Sequence, residues 1–290
     1  MMEILWTILL RFINARFRIG RLFGVLFTIN YSFVAVPIAV AVYCWPDFRL
    51  LYGLMSFCMA IAASILLHEL GHALGGYVVG NPAKEICLLI CGGYTTFLRN
   101  PGVTAKDAVM SLAGPLANGL VCGLIIWIEC CEWNGSFGEW ASLLLSQIFC
   151  YNISTDELPF SFVMLNSIAL VNAYMLVFNL LPAFPLDVGL IFRWFVGCFL
   201  PAQKAAFATM LVARMLACLI VGRSIMADLI TDFNPLNLGI MALIGVWIWC
   251  GSKTELWRTK LYCAAEAGSR AARAEIRNLF NEEVWPNWRR

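Results

Sequence analysis

The chain has 290 residues, of which 61% are hydrophobic and 13% charged, and its formal net charge is +2. An ordinary soluble domain carries about 25% charged residues, so the composition excludes that class and predicts an integral membrane protein with several spans. The small net charge and the lack of a long basic run give no argument for a nucleic-acid partner, and none is expected.

Residues 1–21 do not read as a cleavable signal. The apolar run Ile4–Leu10 is short, and Arg11, Arg16, Arg18 and Arg21 follow it rather than precede it. An amphipathic helix on the membrane surface is predicted instead, with Trp6, Leu9, Leu10, Phe12 and Ile13 toward lipid and the arginines toward headgroups.

A helical span needs about 20 apolar residues. Six segments are candidates, running roughly 22–45, 51–79, 108–130, 160–181, 204–225 and 235–250. Arg214 interrupts the fifth. Segment 186–200 is apolar but short and carries Arg193, so it reads as a partly embedded or re-entrant piece after span four. Between spans two and three, Ile86–Ile90 and Tyr94–Phe97 are strand-like runs flanking Cys91-Gly92-Gly93, which predicts a β-hairpin or a bent strand pair. An exposed edge there could pair with an extended peptide. The predicted fold class is therefore an all-α polytopic membrane protein of about six transmembrane helices with a short membrane-associated β-hairpin. Residues 22–250 form its transmembrane domain, and a helical, surface-lying tail covers 251–290.

Orientation follows the basic residues. Lys84, Arg99 and Lys106 lie between spans two and three, Arg193 and Lys204 between four and five, and eight Lys and Arg residues follow Gly251. The connection between spans three and four holds Glu132, Glu139, Asp156 and Glu157 without a basic residue. Six spans with both termini cytoplasmic satisfy this pattern, with Arg223 as the exception. The twelve cysteines include no CxxC pair. Cys87 and Cys91 come nearest to a metal spacing and Cys130-Cys131 is a vicinal pair, but all twelve read as reduced core residues.

The chain's two histidines both fall in His68-Glu69-Leu70-Gly71-His72, within span two. Positions i and i+4 share a helix face, so both imidazoles can bind one ion while Glu69 projects beside them. Zinc is the ion this pattern suits, with Glu69 as general base. An ionisable residue this deep in a span is costly unless it is used. Zinc needs a third protein ligand, and no histidine remains. The metzincin string would require a histidine where Val78 stands, which excludes that class. Glu85 and Asp107 qualify by type but lie in connections on the charged side. Asp187 is the stronger candidate, because it follows two prolines in an otherwise apolar turn after span four. Its span ends on the side toward which the histidines of span two lie.

Together, His68-Glu69-Leu70-Gly71-His72, Gly114-Pro115-Leu116-Ala117-Asn118 and the segment from Asn179 to Gly189 resemble the site-2 protease family of intramembrane zinc metalloproteases. The resemblance runs through spans two to five in order. It implies His68, His72 and Asp187 as Zn2+ ligands, Glu69 as the catalytic acid/base, and a catalytic core over about 51–200. It also implies that the strands near Gly92 and Gly93 guide substrate. Val188 stands where the family's Leu-Asp-Gly-Gly pattern has its first glycine, which leaves the ligand intact but adds a β-branched neighbour. With no PDZ-like or CBS-like segment, the chain resembles a minimal member. Asn118 and Asn179 are candidates to hold substrate backbone or a developing oxyanion; the competing reading is helix–helix hydrogen bonding.

The expected activity is hydrolysis of a peptide bond within or beside a transmembrane segment of another protein, as in regulated intramembrane proteolysis. The expected partners are that substrate, the lipid bilayer and a regulatory membrane protein. Two rivals are an inactive relative that binds membrane proteins and a metal transporter. The second needs more polar residues along a through-path than these spans offer.

Overall fold

The computed structural model describes residues 15–89, 92–99, 104–133, 136, 160–230, 235–272 and 275. They divide into two units: Met1–Asn100 with Ala113–Val177, and Pro101–Leu112 with Phe178–Arg290.

The first unit opens with a correction. Where an amphipathic helix and the start of span one are predicted, the chain forms strands β1 (Arg16–Leu22) and β2 (Val25–Asn30). The Arg16-Phe17-Arg18-Ile19 alternation has the period of a strand, and the apolar run Val25–Ile29 is a form that buried strands and helices share. Phe23 at φ 51° and Gly24 at φ 83° turn the chain between them. Trp6, Leu9, Leu10, Phe12 and Ile13 lie outside the described residues.

Helix α1 (Tyr31–Tyr43) follows at once, its first turn capped by the Asn30 side chain, which accepts from the Ser32 amide at 2.9 Å. Helix α2 (Phe48–Val78) has 31 residues. At 1.5 Å per residue it is about 46 Å long, more than the hydrocarbon core of a bilayer. It ends in a Schellman turn. Gly80 takes φ +78°, its amide donates to the Tyr77 carbonyl, and the Asn81 amide donates to that of Gly76.

The predicted hairpin is present as β3 (Ala83–Leu89) and β4 (Gly92–Phe97). It belongs to a larger sheet of order β1-β2-β3-β4, in which β2 and β3 run parallel and the other pairs antiparallel. A parallel pair needs a long crossover, and α1 and α2 supply it. Helix α2 packs on β3 and β4. A polar cluster stitches the strands together. Arg16 Nη1 donates to Glu85 Oε1 at 2.8 Å and to Tyr94 OH at 2.5 Å, and Thr28 Oγ1 donates to the same Glu85 oxygen at 2.8 Å.

Helix α3 (Ala105–Trp133) from Ala113 onward and helix α4 (Phe160–Asn179) as far as Val177 complete this unit. Cys122, Ile125 and Ile126 pack against Ala169, Leu170 and Ala173. Gly71 of α2 meets α3 so closely that an added Cβ would lie 2.6 Å from the Ala113 carbonyl oxygen. Small residues at such crossings are how membrane helices approach each other. Leu116, Leu120, Leu124 and Trp127 form an exposed apolar stripe along α3, as lipid contact requires.

The second unit holds α5 (Asp187–Gly197), α6 (Ala202–Ile230) and α7 (Pro235–Glu266). Ala183, Leu186, Ala213, Ala217 and Ile248 are its core. Arg193 and Glu255 form a buried ion pair between α5 and α7. Arg214 lies 4.5 Å from the centroid of the Trp249 ring, a cation–π contact that accounts for a charge inside an apolar helix. The sixth predicted span and the start of the tail are one continuous helix, α7. The tail then turns at Gly268 (φ +102°), and Ala272 packs on Leu261, Tyr262 and Ala265.

Among the described residues, three helices are long and apolar enough to cross a membrane: Leu51–Val78, Ala105–Glu132 and Ala202–Met226. They match predicted spans two, three and five. Tyr31–Tyr43 and Met164–Asn179 are shorter apolar helices. The acidic residues Glu139, Asp156 and Glu157 lie outside the described residues. The fold is mostly helical, but with a four-stranded sheet it is not all-α.

Candidate metal centre

One turn of α2 carries His68, Glu69 and His72, all at least nine-tenths buried. The two histidine Nε2 atoms are 3.0 Å apart and the rings stand edge to face at 88°. At this range one ring nitrogen can donate to the other, and where both carry a lone pair they face the same point. They suit one cation that both can coordinate. Gly114 of α3 makes the space. A Cβ there would run into His72 Nε2 and lie 2.9 Å from His68 Cε1. Gly114 thus serves close packing directly under the ring pair.

His68 Nδ1 lies 2.5 Å from Asn118 Oδ1. The fully buried Asn118 amide also donates from Nδ2 to Asn172 Oδ1 at 2.7 Å. Asn118 is therefore engaged with a histidine and a neighbouring helix.

Glu69 is held from β4. Thr95 Oγ1 lies 2.8 Å from Glu69 Oε2 and 3.2 Å from the Glu69 carbonyl oxygen. Gly93 lies against the same side chain, and a Cβ there would be 2.7 Å from Glu69 Cγ. Gly92, at φ +133°, takes a conformation that favours glycine. Gly93 and Thr95 therefore frame the carboxylate. Thr95 lies in the strand-like run Tyr94–Phe97, and the packing of the sheet on α2 brings it to Glu69.

The other acidic candidates have structural partners. Glu85 pairs with Arg16. Asp107 caps α3, accepting from the Thr104 amide at 2.9 Å. In the second unit, Asn179 is the last residue of α4 and is half-buried. Asp187 opens α5, where the helix N-terminus favours a carboxylate. Gly189 fits so tightly against the preceding turn that a Cβ would lie 2.5 Å from the Ala183 carbonyl carbon and the Phe184 nitrogen. This is why the second glycine of the pattern stays, while Val188 replaces the first without disturbing the helix. The first unit thus offers the His68 and His72 imidazoles, and the second the Asp187 carboxylate, all ligand types for a metal ion. Two imidazoles and a carboxylate are a set zinc accepts.

The comparisons agree with this chemistry. Peptidase family M50 matches residues 56–222, more than half of the chain. A zinc metalloprotease of Methanocaldococcus jannaschii is 22% identical over 245 residues, covering 83% of this chain and 61% of the relative. Stage IV sporulation protein FB of Bacillus subtilis is 28% identical over 174 residues, covering 60% of this chain and 51% of the relative. The chain thus spans about three fifths and half of the lengths of these relatives. The solved site-2 protease from Methanocaldococcus jannaschii has the same fold, with a TM-score of 0.52 and 21% identity over 83% of this chain and 95% of that one. With the histidine pair in the matched region and three apolar helices long enough to span, the chain is an integral membrane member of peptidase family M50, the site-2 protease family.

Proposed function

We propose that this protein is an intramembrane zinc metalloprotease that hydrolyses a peptide bond within or next to a transmembrane segment of another membrane protein. The observation that carries the reading is the convergence of the His68 and His72 Nε2 atoms beside a carboxylate, Glu69, that is pinned to a strand. His68, His72 and Asp187 would hold the ion. Zinc there supplies Lewis acidity, which polarises a carbonyl and makes water nucleophilic near neutral pH. Glu69 takes the proton of the attacking water and returns it to the leaving amine. Asn179 is the amide assigned to substrate or oxyanion, and Asn118 orients His68.

A helical substrate hides its backbone amides, so it must unwind locally. Strand β4 is at the edge of the sheet and carries Gly92 and Gly93 beside Glu69. Pairing along that edge would replace the hydrogen bonds an unwound segment loses. We assign six spans, with both termini and the metal centre toward the cytoplasm, as the distribution of basic residues supports. Regulated intramembrane proteolysis, with a regulatory membrane partner, is the matching cellular role.

The test is cleavage of a panel of single-span substrates in vesicles by wild type and Glu69→Gln. Wild type should cleave at least one substrate, and the variant should retain zinc and cleave none. Cleavage by Glu69→Gln at the wild-type rate rejects the proposal.

A further inference from the structure

We infer that Asn172 and Ser64, neither of which touches the metal position, are positioning residues that set the tautomer of His68. This rests on His68 being a metal ligand, as proposed above.

The observation is a chain of hydrogen bonds through the first unit whose direction is forced from its far end. Ser64 Oγ lies 2.8 Å from the Ala60 carbonyl oxygen, which can only accept, so the hydroxyl must donate there. Asn172 Nδ2 lies 2.8 Å from Ser64 Oγ and 2.8 Å from the Ile168 carbonyl oxygen. Ile168 supplies a second acceptor-only group, so the nitrogen of the Asn172 amide must face this side. Its Oδ1 then faces Asn118, and the atom opposite it at 2.7 Å must be the donor Nδ2. The Ser64 carbonyl oxygen, at 3.4 Å from Asn118 Nδ2, favours the same orientation. Asn118 Oδ1 is left facing His68 Nδ1 at 2.5 Å, and an amide oxygen can only accept. The proton of neutral His68 is thereby held on Nδ1, and the lone pair on Nε2, which faces the Nε2 of His72.

An amide or an imidazole has no intrinsic reason to take one orientation over its flip. Here the choice is made two residues away by backbone carbonyls. Reversing Asn118 would set its oxygen against the Asn172 oxygen, and reversing Asn172 would set its oxygen against the Ile168 carbonyl. Ser64, Asn118 and Asn172 are each 0% exposed, so water is not there to repair a wrong orientation. A metal-ligating histidine whose other nitrogen is fixed by a partner binds better, and losing that support costs about 10–100-fold in affinity. The bond from Asn118 to His68 is the contact at the site. The inference concerns the two residues behind it, on α4 and one turn earlier on α2.

The experiment is zinc affinity of the full-length protein in detergent, by competition with a chelator, for wild type, Asn172→Leu, Ser64→Ala, the double variant, and Leu170→Ala. Leu170 is a buried core residue of α4 outside the chain of bonds, so its variant loses stability without touching the tautomer. Thermal unfolding of each apo protein ranks the destabilisation. Asn172→Leu should weaken zinc binding about 10–100-fold, and Ser64→Ala should weaken it less. The double variant should be no weaker than Asn172→Leu alone, because both act through one orientation. Leu170→Ala should bind zinc as wild type does. Wild-type affinity in Asn172→Leu, or an equal loss in Leu170→Ala, overturns the inference while leaving the metal centre standing. Wild type that takes up no zinc overturns the metal reading, and this inference with it.

Discussion

The space occupied by the His72 ring is the space a side chain at Gly114 would need. A Cβ on Gly114 would collide with His72 Nε2 and stand 2.9 Å from His68 Cε1. Both rings are at least nine-tenths buried. Gly114→Ala should therefore leave the helices folded but displace the ligand pair. Zinc affinity should fall about 10–100-fold, as when a ligand's support is lost. Isothermal titration of apo protein with zinc, compared with Ala117→Gly as a packing control, checks this.

Thr95 donates to the Glu69 carboxylate from across the sheet–helix boundary. A hydrogen bond to a charged group contributes about 1.5–3 kcal/mol. If it steadies the carboxylate in its proton-transfer position, Thr95→Val should lower kcat about 10–100-fold, with zinc content unchanged. A fall in zinc content in parallel with activity would instead assign Thr95 to the integrity of the centre.

The Arg193–Glu255 pair joins the helix that begins at Asp187 to α7, with Arg193 only 3% exposed. Removing one partner strands a buried charge and should cost about 3–5 kcal/mol. Replacing both with apolar residues should cost far less. Thermal unfolding of Glu255→Leu, Arg193→Met and the double variant gives the comparison, and a double variant less stable than either single one would reject a simple ion-pair account.

Burial, reinforced by Cys87, pushes the Tyr94 phenol up to about 12. Its ordinary value is about 10. The folded state thus holds the proton more tightly than the unfolded state, and the contribution to stability is fully present below about pH 10 and lost as the pH rises through about 12. Tyr94→Phe should remove that part of the alkaline loss. Denaturant midpoints of both proteins from about pH 9 to about pH 12 measure it.

The histidine pair was legible because it depends only on helix periodicity: residues four apart share a face whatever the helix packs against. Asp187 stood out for a related reason, since an acid in an apolar turn that follows two prolines has few uses. Local pattern also located β3 and β4, where turn residues separate two short runs. It failed at Val25–Ile29, because a continuous apolar run serves a buried strand as well as a helix. Only pairing with β3, more than 50 residues later, made it a strand. The support around the site was beyond local reading for the same reason. Ser64, Asn172 and Thr95 are ordinary polar residues in sequence, and their roles come from partners 108, 54 and 26 residues away. The amino-acid sequence by itself determined which groups could bind and move a proton. Tertiary packing decided which way each faces, because orientation belongs to the pair and the partner is chosen by the fold.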